Sequence, residues 1–274
     1  MLRRTFRAMG TEIELFVEAD EADAELDAAE HEFHRLEALL SRFRPESELS
    51  RLNRAGSLEV SADTARAIEL ALTARANTGG VFDPTVHDAV AAAGYDRSFE
   101  LVPADTAART GTAPCGGRVR VEGLRVEVEP GFHLDLGGIG KGYAAECAAE
   151  ALAPAGPCLV NAGGDIAVRG GEWRIGVEES VTLAVSAGGV ATSGRDRRRW
   201  RRGGVELHHL IDPATGAPAE TDLLRATAVA EDATQAEVAA KWLFLLGEEE
   251  AANRGVPCVL VRPDGSIRLA GGLA

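Results

Sequence analysis

Short alternating apolar runs divided by clusters of glycine constrain this chain more than any other feature. Its 31 glycines are concentrated in groups such as NTGG (77–80), LGGIGKG (136–142) and NAGGD (161–165). Glycine reaches backbone conformations closed to other residues, so such groups make tight turns and let backbone approach a ligand closely. Between them, TEIELFVE (11–18) alternates with the period of a half-buried strand, and RVRVEGLRVEVE (118–129) reads as a hairpin. PCLVNAGGDIAVRG reads as strand, tight turn, strand. WRIGVEE, TLAVSAGGVATSG, VELHHLID and RATAVAED read as further strands, and VPCVLVRPDGSIRLAG as a last hairpin around PDG.

Helical spacing places Leu26, Ala29, Phe33, Leu36 and Leu40 on one face of a helix over 21–43. Ser61 opens a second helix with Ala65, Ile68 and Leu72 on one side, and TQAEVAAKWLFLLG is a helix ended by Gly247. FHLDLGGIGKGYAAECAAEAL (132–152) is strand, glycine turn, helix, whereas residues 87–117 carry no period and are expected to be loose. Hairpins with helices grouped early, in the middle and late predict an α+β fold of mostly antiparallel sheets. A single domain over 1–274 is expected, divided at most into two intimately packed lobes.

The net charge of −14 argues against a nucleic-acid partner, which would have to be met by cations. RDRRRWRR (195–202) is a local exception with six arginines. It is either a solvated hairpin or a clamp for phosphates or an acidic segment. Cys115, Cys147, Cys158 and Cys258 form no CxxC pair, and reduced, partly buried thiols are expected. The N-terminal residues show no signal peptide, and no apolar stretch is long enough to span a membrane. A cytoplasmic protein without a membrane partner is the expectation.

DLGGIGKG (135–142) is neither a P-loop nor a dinucleotide fingerprint. Asp135 stands where the first glycine of a P-loop belongs, and Tyr143 where the third glycine of the fingerprint belongs. A glycine turn opening a helix still offers backbone N–H groups, and Lys141 adds a cation beside them, a combination that suits a phosphate. The alternative is a turn whose glycines serve only backbone geometry. In HHLIDP (208–213), His208 and His209 alternate across a strand, so at most one faces a given pocket.

Taken in order, MGTEIEL, LSRFRPESELSRLN, TGGVFDPTV, LDLGGIGKGYAAE, LVNAGGDIAVRG, VATSG, HHLIDPATGAPA and ATAVAEDATQAEVAAKWLFLLG resemble the successive motifs of the ApbE family, the FAD:protein FMN transferases. The resemblance runs from about Met9 to about Gly247. It implies a T-fold-like α+β architecture and a reaction in which FMN passes, with magnesium, from FAD to a Thr or Ser hydroxyl of a target protein while AMP leaves. It places Gly137, Gly138, Gly140 and Lys141 at the FAD pyrophosphate, and Met9, Phe82, Asp83 and Pro84 in the walls of the site. It sets Asn161, Gly163, Gly164 and Asp165 near the flavin, and Ser193 and Gly194 before the adenine side. His209 matches the histidine of the family's H-x-x-D-P, which would activate the incoming hydroxyl. Lys141 would be the accompanying catalytic cation.

The chain departs from the family at the metal. Where the family carries Asp and Thr four apart, this sequence has Glu237 and Lys241, with Gly140 left to supply a carbonyl. Three readings follow. Glu237 and Lys241 form a structural helix pair, with Thr234 and Glu237 as a capping box. Alternatively Lys241 replaces the ion at the pyrophosphate, or magnesium still binds through Glu237, the carbonyl and the phosphates. The rival functions are an FAD pyrophosphatase yielding FMN and AMP, and a non-catalytic FAD-binding protein.

Overall fold

The computed structural model describes residues 1–108 and 110–273. An eight-stranded, wholly antiparallel sheet forms its centre. In sheet order the strands are Leu2–Ala8, Thr11–Val17, Cys158–Ala162, Asp165–Glu178, Val181–Gly194, Arg225–Ala230, Cys258–Val261 and Ile267–Ala270. The period-two alternation decides what each face buries. Leu15, Val160 and Ala167 point to a helical core, while Phe16, Leu159, Ile166 and Val168 pack on the other face with Trp173 and Ile175.

Seven helices complete the described fold: α1 Asp23–Leu40, α2 Glu48–Ala55, α3 Ala62–Asn77, α4 His87–Ala92, α5 Gly140–Leu152, α6 Ala233–Leu246 and α7 Glu248–Ala252. The residues expected on the inner face of α1 are all buried, but the helix is shorter than 21–43 because Ser41 turns extended. The α+β architecture agrees with the expectation. Residues 87–117, expected to be loose, instead hold α4, a 3-10 turn at Phe99–Leu101 and the short strand Asp105–Thr106, which pairs in parallel with Arg199–Arg202. All four cysteines are free. Among the described residues no helix is long and apolar enough to cross a membrane.

The predicted capping box on α6 is not formed. Asp232, two residues before Thr234, takes the cap by accepting the Gln235 N–H at 2.7 Å. Glu237 is thereby left to reach another helix.

Candidate active site

A cleft of about 350 Å³ opens where the end of α1, residues 81–86, the glycine turn, α6 and the segment after His208 converge. Of the residues singled out in the sequence, Met9, Phe82, Asp83, Gly137, Gly138, Gly140, Lys141, His209 and Lys241 line it. Asn161, Gly163, Gly164, Asp165, Ser193 and Glu237 do not.

The glycine turn is shaped by Asp135, whose Oδ1 accepts the Gly137 N–H at 2.7 Å, and the chain then folds into α5. Glu237 crosses from α6 to the start of α5 and accepts the Gly142 N–H at 2.8 Å, setting a negative charge at the positive end of that helix. Its other oxygen takes the Lys141 ammonium at 2.5 Å, and Asp165 holds the same ammonium from the strand side. The Lys141 side chain is 18% exposed, that of Asp165 5% and that of Glu237 4%. Burial works against the Lys141 charge, but Asp165 and Glu237 outweigh it and hold the ammonium above its ordinary range. Burial pushes Asp165 up to about 6 in spite of the lysine beside it. Gly142 leaves room for this junction, since a Cβ there would strike the backbone of Ala233 and Thr234.

The helix pair between Glu237 and Lys241, one of the three readings, is not formed among the described residues. Glu237 is committed to Lys141 and Gly142, so Lys241 makes no hydrogen bond or ion pair among the described residues. Its Nζ lies 5.7 Å from the Phe82 ring centre, beside Gly138. Burial lowers its pKa, Glu237 opposes the shift and Lys141 adds to it. A Cβ built on Gly138 would land on this ammonium, so glycine there is what admits it.

The two histidines divide as their alternation required. His208 is buried, with Nε2 at 3.0 Å from the Ala219 carbonyl and Nδ1 accepting the Leu210 N–H at 3.3 Å. His209 lines the cleft, and its Nδ1 is buried without a partner among the described residues. Burial, then the nearby cations Arg198 and Lys241, push its pKa well below the usual value, so the imidazole is neutral at neutral pH.

Several candidates are held in local structure. Asp83 accepts the Thr85 N–H and hydroxyl at 2.8 and 2.7 Å, which fixes residues 82–85 as a turn. Asn161 spans the second glycine turn, accepting the Gly164 N–H and donating to Glu14, each at 2.9 Å. Ser193 sits inside a sheet strand opposite Ala226. Met9 is the one non-glycine residue with positive φ (51°) among those described; it turns the first hairpin and presents its side chain to the cleft.

Sequence reasoning gave Arg42 no role. Its guanidinium lies over Phe43 at 4.2 Å and Tyr95 at 4.6 Å and meets Asp135 at 3.1 Å, with only 7% of the side chain exposed. With Phe99 these rings make an aromatic wall. Two of its three rings, Tyr95 and Phe99, lie in the stretch without period, so no pattern announced it. The arginine run is a hairpin strand anchored by buried Trp200, whose Nε1 donates to the Ala93 carbonyl at 2.9 Å. Only Arg198 of the run lines the cleft.

Lys141→Met tests the buried cluster. It would leave the Asp165 and Glu237 carboxylates buried without their cation, which costs about 3–5 kcal/mol. A chemical-denaturation midpoint close to that of the wild type would contradict this.

The sequence model of the ApbE family matches residues 9–260. An FAD:protein FMN transferase of Treponema pallidum is 30% identical over 311 residues, covering 97% of this chain and 85% of that protein. One from Vibrio cholerae is 29% identical over 256 residues, covering 84% and 77%. The crystal structure of an ApbE protein from Thermotoga maritima superposes with a TM-score of 0.85 at 26% identity, covering 98% of this chain and 96% of that one.

Proposed function

The chain belongs to the ApbE family, and on that premise we propose that it transfers FMN from FAD to a Thr or Ser hydroxyl of a target protein, releasing AMP. One observation carries the reading: a neutral imidazole, His209, and an ammonium without an ion pair among the described residues, Lys241, share one cleft with the glycine turn. The acceptor oxygen attacks the phosphorus next to the ribityl chain. An O–P bond forms, the P–O bond to the AMP phosphate breaks, and AMP leaves with the electron pair. The hydroxyl proton passes to His209. Negative charge grows on the pyrophosphate oxygens, where a fixed cation is most effective.

Magnesium would supply that charge in the family reaction, but these residues do not fit it. A magnesium ion requires octahedral oxygen ligands. Both Glu237 oxygens are engaged, by Lys141 at 2.5 Å and by the Gly142 N–H at 2.8 Å. The Lys241 ammonium, which the Glu237 charge influences without pairing with it, adds a cation that repels a dication. We therefore assign the charge-stabilising role to Lys241. Lys141 fixes Glu237 and Asp165 rather than meeting the phosphates.

The test is to incubate the protein with FAD and candidate targets in EDTA. A target mass increase of one FMN is expected without added metal. Free FMN and AMP with no target label would point to the pyrophosphatase instead, and intact FAD to a binding protein.

A further inference from the structure

We propose that His87, Asp88 and His133 form a binding site for a first-row transition-metal dication of the zinc type, separate from the pyrophosphate position. His87 and Asp88 open α4. His133 lies two residues before Asp135 in the segment that leads into the glycine turn. The fold brings these stretches together through the Asp135 N–H, which donates to the Pro84 carbonyl at 2.8 Å. His133 Nδ1 then lies 2.7 and 2.9 Å from the two Asp88 oxygens, and His87 Nδ1 lies 3.0 Å from one of them. The ring centres are 5.5 Å apart. One ligand atom from each of the three residues falls within 4.8 Å of the others.

The donor set selects the ion. Two imidazoles and one carboxylate suit zinc, cobalt and nickel, whereas magnesium and calcium prefer oxygen alone. Ligand bonds of about 2.0–2.1 Å in a tetrahedron put ligand atoms roughly 3.3 Å apart. The two sides of the triangle that meet at Asp88 need to lengthen by only a few tenths of an ångström to admit the ion. Side-chain exposures of 25% for His87, 31% for Asp88 and 38% for His133 leave room for water as a fourth ligand. Among the described residues neither Nε2 has a hydrogen-bond partner, so both rings remain free to turn slightly.

Val86 and Asp135, which flank the cluster in sequence, both line the flavin cleft. A metal held here ties the turn at 81–86 to the glycine turn, two walls of that cleft, and so acts as a clip rather than as a reactant. The inference stands on the cluster itself and does not depend on the transfer reaction.

Titrating metal-stripped full-length protein with Co2+ tests it, read by calorimetry and by the visible ligand-field bands of bound cobalt. One equivalent is expected, displaced by Zn2+ but not by Mg2+. Binding should weaken by more than about tenfold in His133→Ala and in Asp88→Asn, and stay unchanged in His34→Ala, a half-exposed histidine elsewhere. Thermal melts in the absence of metal establish that each variant is folded. No stoichiometric binding to the wild type, or equal binding to His133→Ala, overturns the proposal. Using His133→Ala also keeps the EDTA experiment clean. Chelator sensitivity that persists in this variant and is reversed by Mg2+ argues against Lys241 as the cation, whereas sensitivity that vanishes with His133 and is reversed by Zn2+ belongs to the clip.

Discussion

Lys241→Met is expected to lower kcat for FMN transfer by roughly 10²–10³-fold, the range seen when one charge-stabilising donor is removed from an active site. Methionine keeps most of the side chain's length and apolar contact with Phe82 but removes the ammonium. Among the described residues that ammonium makes no ion pair, so its removal relieves a buried charge whose pKa burial already lowers. Stability should hold or rise while activity falls, a pattern that separates a catalytic charge from a structural one. The loss should appear in kcat more than in KM, because charge on the bridging oxygen grows as AMP departs. Lys241→Thr adds a second arm. It removes the repelling cation and restores an oxygen four residues after Glu237. Mg2+ should then recover part of the activity in this variant while leaving the wild type indifferent. If EDTA abolishes transfer by the His133→Ala protein with Lys241 intact and Mg2+ restores it, Lys241 is not the cation of the reaction.

His209→Asn is expected to cost about 10²–10⁴-fold, the usual contribution of a positioned general base. The wild type should also show an unusual pH profile. Burial and the nearby cations hold the His209 pKa well below the ordinary value, so the neutral base persists into mild acid. The acid limb of kcat/KM should therefore fall below the ordinary histidine pKa of about 6.5, and it should be absent from the residual activity of the variant. Stability follows the same proton. Below the unfolded pKa the unfolded chain binds a proton that folded His209 refuses. The contribution is therefore present above about pH 6.5 and is lost as pH falls toward the folded pKa. His208, also lowered by burial, acts in the same direction. His209→Asn should flatten part of the acid decline of the thermal midpoint. An unchanged midpoint profile between about pH 5 and pH 8 would count against a buried neutral imidazole.

Much of the framework was legible because it rests on periodicity. The five apolar residues of α1 recur at helical spacing and are all buried, and the strands alternate as the sheet faces require. The site was legible mainly through its order of motifs. What escaped was governed by distance along the chain. Glu237 and Lys241 looked like partners because four residues separate them. The carboxylate instead serves Lys141, 96 residues away, and Lys141 also serves Asp165, 24 residues away. No local rule reports such a junction. The capping box failed for a related reason: Asp232 is a better-placed cap than Thr234, and Glu237 was needed at another helix. α4 is six residues long and mostly alanine and valine, too short to express a helical period.

The junction of Lys141 with Asp165 and Glu237 has a consequence for how the protein matures. Its three groups come from a helix, a strand and a second helix, and two of its contacts span 24 and 96 residues. Contacts of that separation close late in folding, after local helices and hairpins have formed. The glycine turn, α6 and the sheet are brought into register by this buried charge cluster, so the Lys241 ammonium reaches its station only when the chain is complete. A half-folded chain carries every motif in its sequence but not the assembled cleft. Activity during refolding should therefore lag behind the recovery of helical signal, and flavin chemistry is confined to finished molecules.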